Sequence, residues 1–495
     1  MSEQIFADRL KAAMQLKHFK QIDLVNAAEA AGIKLGKSHV SQYVSGKTVP
    51  RDATLSFLAK ILECDKEWLK NGDGKTPGSV KSAVPARDEN GRRTFTKSHK
   101  LDNVLYDVRG PVVDEANRME AEGIEILKLS IGNPAPFGFR TPHEIIQDMS
   151  SQLTETEGYS HSKGLFSARK AIMQYCQLKH IPNLSVDDIY TGNGVSELIQ
   201  LSLNALLDDG DEVLIPAPDY PLWTACVNLA GGKAVHYLCD EQSEWNPDIA
   251  DIRRKVTDRT KAIVIINPNN PTGALYPVEI LQEIVEIARE HELMILSDEI
   301  YDRLVMDGLK HVSIASLAPD LFCVTYSGLS KSHMIAGYRI GWMVLSGNKA
   351  LGRDFIQGLN MLSNMRLCSN VPAQSIVQTA LGGYQSVETY LVPGGRIYEQ
   401  REFIYKALND IPGISVVKPK AAFYIFPKMD AARFNIKGDE KFALDLLHDR
   451  HILITRGGGF NWPEPDHFRI VYLPRVEVLG EAMKKFADFM KTYRQ

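Results

Sequence analysis

A chain of 495 residues, with 24% charged and 44% hydrophobic side chains, is long enough for two or three domains and has the make-up of a globular protein rather than a disordered or fibrous one. Its formal net charge of -4 excludes a chain built to coat nucleic acid along its whole length. Six cysteines (Cys64, Cys176, Cys226, Cys239, Cys323, Cys368) without close pairing signal neither a disulfide framework nor a metal site, and no apolar run approaches the ~20 residues of a membrane span. A cytoplasmic protein with buried thiols is expected.

From Glu3 to Gly72 the spacing predicts short amphipathic helices in succession: "FADRLKAAMQL", "QIDLVNAAEAAG", "SHVSQYVSG", "DATLSFLAKILE" and "DKEWLKNG". Residues 1–72 resemble the five-helix DNA-binding domains of the phage repressor and Cro type. In that resemblance the second and third segments form a helix-turn-helix through "IKLGK". Lys37, Ser38, His39, Ser41 and Gln42 would face the major groove and Lys47 a phosphate. Polar residues there are compatible with base reading, and any small helical bundle also exposes a polar face. Residues 73–100 combine Gly, Pro, Ser and charge without periodicity, which predicts a linker.

From residue 101 onward, Ile- and Val-rich runs such as "DEVLIPAP", "KAIVIINP", "LMILSDE" and "FCVTYSG" alternate with helical patterns. Short strands bounded by turn residues, with room for crossover helices between them, predict an α/β domain with a parallel sheet covered on both faces. Ligands of such sheets gather at the carboxyl ends of the strands. Four polar signatures sit at those ends.

"TGNGVSE" sets two glycines before a helical run, where backbone amides and the helix dipole can hold a phosphate. "INPNNPTG" and "SDEIYDRL" close two strands with Asn270, Asp298 and Tyr301, although a carboxylate there can also serve as a helix cap. "SGLSKSHMIAGYRIGW" brings Lys331 and Arg339; a lone loop lysine is usually just solvated. Taken together and in this order, the four are the pattern of the fold-type I pyridoxal-phosphate enzymes. The longer stretches "YDVRGPV", "LKLSIGNPAPFGF", "PAPDYPLWTA" and "FNWPEPDHFRIVYLPR" resemble the bacterial glutamate–pyruvate (alanine) aminotransferases.

The resemblance implies a homodimer with pyridoxal 5'-phosphate as cofactor. Its fold has a large domain over 141–390 with a mainly parallel seven-stranded sheet. A small α/β domain follows over 391–495, with 101–140 as its N-terminal segment and active-site cover. Lys331 matches the lysine that bonds the cofactor and shuttles the α-proton, and Asp298 the partner of the pyridine nitrogen. Asn270 and Tyr301 match the groups on the phenolic oxygen, and Tyr220 the aromatic stacked on the ring. Gly194, Val195, Ser196, Ser330 and Arg339 would hold the phosphate, with Tyr159 reaching the phosphate of the neighbouring subunit.

Arg469 matches the arginine that grips the substrate α-carboxylate, approached also by the backbone of Gly132 and by Asn270, while Tyr106 and Arg109 read the substrate side chain. Many relatives carry a hydroxyl residue three places before the lysine, where this chain has Gly328, a trait of the alanine-type subgroup. The implied reaction is ping-pong, L-alanine and 2-oxoglutarate giving pyruvate and L-glutamate, with a DNA-binding module appended. The other reading is a transcriptional regulator whose aminotransferase-like body senses the cofactor or an amino acid.

Overall fold

The computed structural model describes residues 3–17, 19–62, 64, 66–71, 92–95, 97–101, 104 and 110–495. The chain divides into two compact units, Met1–Lys97 and Ser98–Gln495.

Among the described residues the first unit has five helices, Glu3–Leu16, Gln21–Ala30, Lys37–Val44, Asp52–Ile61 and Lys66–Asn71. Apolar residues three and four apart put Phe6, Leu10, Leu24, Val40, Leu55, Leu58 and Trp68 into one buried core. Gly36 caps the third helix, so Lys37 is its first residue rather than the end of the preceding turn. With Val40 buried, Lys37, Ser38, His39, Ser41 and Gln42 are left exposed on this helix, and Lys47 is exposed beyond it.

The second unit is built on one large mixed sheet. In spatial order its strands are Ile189–Gly192, Gly341–Gly347, Phe322–Gly328, Met294–Asp298, Thr260–Ile266, Glu212–Ala217, Lys233–Asp240 and Asn246–Pro247. The five from Phe322–Gly328 to Lys233–Asp240 run parallel, and Gly341–Gly347 runs against both of its neighbours. The expected count of seven is one short. The chain turns back after Asp240, and the two-residue strand Asn246–Pro247 pairs antiparallel with Cys239 and Asp240 at the sheet edge.

Alternation along a strand sends neighbouring side chains to opposite faces, and the two faces carry separate cores. Ile263 and Ile265 enter one, while Ala262, Val264 and Ile266 enter the other. The helix Val278–Glu290 covers the first face with Leu281, Ile284, Val285 and Ala288, spaced for one helical stripe. Burial on both faces explains why these strands read as continuous Ile and Val runs.

Register then sets the level at which chemistry can occur. Ile266, Asp298 and Tyr326 lie opposite one another on three adjacent parallel strands. The segments that follow them therefore leave the sheet at the same edge.

The remaining strands lie near the C-terminus. Phe468–Val471 pairs antiparallel with both Tyr424–Ile425 and Thr455–Arg456, and Leu127–Lys128 runs parallel to Ile452–Leu453. Val112, Leu129, Phe423 and Phe486 share one core, so the early and late parts of the second unit form a common body. Among the described residues no helix is long and apolar enough to cross a membrane.

Candidate active site

The cradle for an anion comes from glycines. Gly192, Gly341 and Gly328 lie in one register row, leaving the sheet edge bare. Gly194, at φ +84, turns the chain into the helix Val195–Leu206. A Cβ on Gly341 would lie 2.6 Å from the Val195 nitrogen, so the helix start rests directly on the backbone of the sheet. A Cβ on Gly328 would lie 2.8 Å from the Ile340 carbonyl oxygen, which gives a steric reason for glycine at this position.

Arg339 donates from Nη1 to the Ala336 carbonyl at 3.0 Å and from Nη2 to the Asn193 carbonyl at 3.1 Å. A Cβ on Gly194 would lie 2.3 Å from that Nη2, so only glycine lets the guanidinium close onto the helix start. The helix start at Val195 and Ser196, the Ser330 side chain and Arg339 all line one cavity of about 240 Å³. Amide, hydroxyl and guanidinium donors at a helix N-terminus suit a phosphate.

Asp298 ends its strand fully buried. Its Oδ2 accepts from the Trp223 indole at 3.1 Å and its Oδ1 from the Ile300 amide at 3.3 Å. Burial still pushes its pKa up to about 6. A carboxylate offers about four acceptor positions, so two N–H donors leave room for a cationic one.

Tyr301, also buried, places its hydroxyl oxygen 2.6 Å from that of Tyr424. Lys331 donates from Nζ to the Gly132 carbonyl at 2.8 Å. Burial, and then the charges of Arg469 and Arg339, lower the Lys331 pKa to about 8. At pH 7 such an amine is neutral in roughly one molecule in ten, against roughly one in 3,000 for an ordinary lysine.

Arg469, on the strand Phe468–Val471, is buried and donates from Nη1 to Asn270 Oδ1 at 2.9 Å and from Nη2 to the Ser130 carbonyl. Its guanidinium lies 4.5 Å from the ring centroid of Tyr424 and 4.6 Å from that of Phe460. These contacts hold the planar fork in one orientation, as two-point recognition of a carboxylate requires.

Gly132, Tyr220, Asn270, Asp298, Tyr301, Lys331 and Arg469 line the same cavity as the anion cradle. Tyr159 does not; it is 84% exposed. Tyr106 and Arg109 lie outside the described residues. Two residues that hydrogen-bond to this set carry little sign of it in the sequence. Trp223 had a faint signal, three residues after Tyr220 in "PDYPLW"; Tyr424, inside the apolar run "AAFYIFP", had none.

An anion cradle, a buried carboxylate with room for a cationic donor and an amine held partly deprotonated fit pyridoxal 5'-phosphate, which brings a phosphate, a basic ring nitrogen and an aldehyde. The family model Aminotransferase class I and II matches residues 124–486. The chain is 59% identical over 399 residues to the glutamate-pyruvate aminotransferase AlaA of Escherichia coli (strain K12), spanning 81% of this chain and 98% of the relative. It is 54% identical over 405 residues to the alanine aminotransferase of Mycobacterium tuberculosis (strain ATCC 25618 / H37Rv), spanning 82% and 94%.

Among solved structures it is similar to an aminotransferase from Escherichia coli, with a TM-score of 0.80 at 59% identity over 81% of this chain and 100% of that one. It is also similar to the alanine aminotransferase from Pyrococcus furiosus, with a TM-score of 0.76 at 42% identity over 80% and 100%. The chain belongs to the class I and II aminotransferases, enzymes that work with pyridoxal 5'-phosphate.

Proposed function

We propose that this aminotransferase exchanges the amino group between L-alanine and 2-oxoglutarate, yielding pyruvate and L-glutamate. The observation that carries the transaminase reading is that Lys331, Asp298, Asn270, Tyr301 and Arg469 all line one cavity. The choice of alanine is supported by the two relatives named for glutamate–pyruvate and alanine transamination.

Bound in this cavity, the cofactor supplies an electron sink next to the substrate α-carbon. The chain's residues do the rest. The amides of Val195 and Ser196, the Ser330 hydroxyl and Arg339 would hold the phosphate, with Gly194, whose own amide donates to the Gly192 carbonyl at 2.8 Å, shaping the turn, and Tyr220 would lie against the ring. Asp298 keeps the ring nitrogen protonated, and Asn270 and Tyr301 bind the phenolic oxygen. Arg469 grips the substrate α-carboxylate beside Asn270 and the Gly132 backbone. Lys331 Nζ, deprotonated, accepts the α-proton and returns it. The active assembly is a homodimer in which Tyr159 reaches the neighbouring subunit's phosphate.

A site that accepts both a methyl and a carboxylate side chain is loosely moulded, so valine is expected as a slower donor. Initial rates with alanine, valine and aspartate, each with 2-oxoglutarate, test the assignment. The expected order puts alanine first; a strong preference for aspartate would sink it. A body that only sensed an amino acid would have less need of Lys331, Asp298 and Arg469 together.

We further propose that the N-terminal unit is a helix-turn-helix module that binds DNA. Support comes from the five-helix arrangement and the exposed polar face of Lys37–Val44. A mobility shift on the promoter upstream of its own gene should weaken steeply with salt and be lost in Gln42→Ala, with transamination unchanged. No shift even at low salt would remove the module's assignment.

A further inference from the structure

Tyr424 holds none of the roles assigned above, yet its side chain stands among the residues that do. Its strand pairs with Phe468–Val471 in the register Tyr424 opposite Val471, which sets the ring beside Arg469, 4.5 Å from guanidinium to centroid. Its hydroxyl oxygen lies 2.6 Å from that of Tyr301. A Cβ on Gly132 would fall 2.0 Å from the same oxygen, so the hydroxyl occupies the space that glycine leaves open. Lys331 donates to the carbonyl of that same glycine.

The protons on the link between the two tyrosines can be counted. Each hydroxyl carries one proton and can donate one hydrogen bond. Tyr301, in the role proposed above, spends its proton on the cofactor's phenolic oxygen. The proton between the two tyrosine oxygens then has to be the one on Tyr424. A hydroxyl that accepts a hydrogen bond becomes a stronger donor itself.

We propose that Tyr424 is a positioning residue: its O–H donates to the Tyr301 oxygen and strengthens the bond that Tyr301 gives to the cofactor's phenolic oxygen. The inference rests on the assignment of Tyr301 to that oxygen. The charged and titratable groups facing Tyr301 are Tyr424, Arg469 and Tyr220. Burial holds the Tyr301 phenol well above its ordinary pKa, so it remains a donor across the working pH range.

Tyr424→Phe keeps the ring under Arg469 and removes only the hydroxyl. The readout is the pH midpoint of the bound cofactor's absorbance change, measured on holoenzyme. A weaker donor leaves the phenolic oxygen more basic, so the midpoint should rise. The expected rise is about 0.3 pH unit in Tyr424→Phe, the share of a hydrogen bond that cooperative polarisation contributes. Tyr301→Phe should raise it by roughly 1 unit or more.

The double variant should equal Tyr301→Phe alone, because Tyr424 acts through Tyr301. If the Tyr424→Phe shift persists in the Tyr301→Phe background, Tyr424 acts elsewhere and the inference is overturned. If Tyr301→Phe shifts the midpoint and Tyr424→Phe does not, the inference alone fails. If Tyr301→Phe leaves the midpoint in place, the assignment of Tyr301 fails and takes the inference with it.

Discussion

Replacing Lys331 by alanine is expected to lower kcat/KM for transamination by on the order of 10⁴-fold or more. A positioned proton-transfer group alone is worth roughly 10²–10⁴-fold, and in the proposed role this amine is also the nucleophile toward the cofactor. The structure gives the physical reason Lys331 can do both. It is half-buried, it is repelled by Arg469 and Arg339, and its pKa falls to about 8. Because the shift is downward, the reactive neutral form is populated above about pH 8 and lost below it. Uptake of the cofactor by cofactor-free protein should therefore accelerate as pH rises through that value and then level off.

The anion cradle and Asp298 are untouched by this substitution, so the variant should still bind pyridoxal phosphate. Steady-state rates with alanine and 2-oxoglutarate, beside an absorbance titration of the cofactor, separate the two effects. Activity above about 1% of wild type would mean that another group moves the proton.

Asp298→Asn is the second large effect, expected to cost kcat/KM on the order of 10³-fold. Asparagine has nearly the same shape, and its single carbonyl oxygen can still accept from either the Trp223 indole or the Ile300 amide while its NH2 faces the other, so the packing at the strand end should survive. What it lacks is the negative charge. Losing one partner of a buried ion pair costs roughly 3–5 kcal/mol, which converts to that factor.

The carboxylate's own pKa supports this reading. Burial lifts it to about 6, a penalty that a cationic ring nitrogen opposite it would reverse. With the cofactor bound, Asp298 should stay ionised to lower pH than without it. Kinetics of the Asn variant check the charge; activity within about threefold of wild type would show that hydrogen bonding alone suffices.

How much of this was legible beforehand depends on how local the signal is. Doubly buried strands betray themselves because each residue must be apolar, and Thr260–Ile266 or Phe322–Gly328 can be marked from the letters alone. Asn246–Pro247 could not be marked, since two residues show no period and their pairing with Cys239 and Asp240 depends on a turn. The third helix was legible, but its start was not: Gly36 caps it, which moves Lys37 from the turn into the first helical position.

Lys331, Asp298 and Arg469 were named from motifs because their neighbours in sequence carry the pattern. Trp223 and Tyr424 were not, since what matters about each is a partner far along the chain. Trp223 meets Asp298 across 75 residues, and Tyr424 meets Tyr301 across 123. A buried aromatic in an apolar run looks the same whether its polar atom is idle or essential. Gly328 reads as a subgroup trait in the sequence, but its steric reason lies in its surroundings, where an added Cβ would fall 2.8 Å from the Ile340 carbonyl oxygen.

In the proposed site, Lys331 is the amine that meets the cofactor. Borohydride reduction of the purified holoenzyme, followed by proteolysis and mass mapping of its peptides, tests that claim on the wild-type chain. The phosphopyridoxyl mass is expected on Lys331. Its appearance on any other lysine, or on none, would contradict the account.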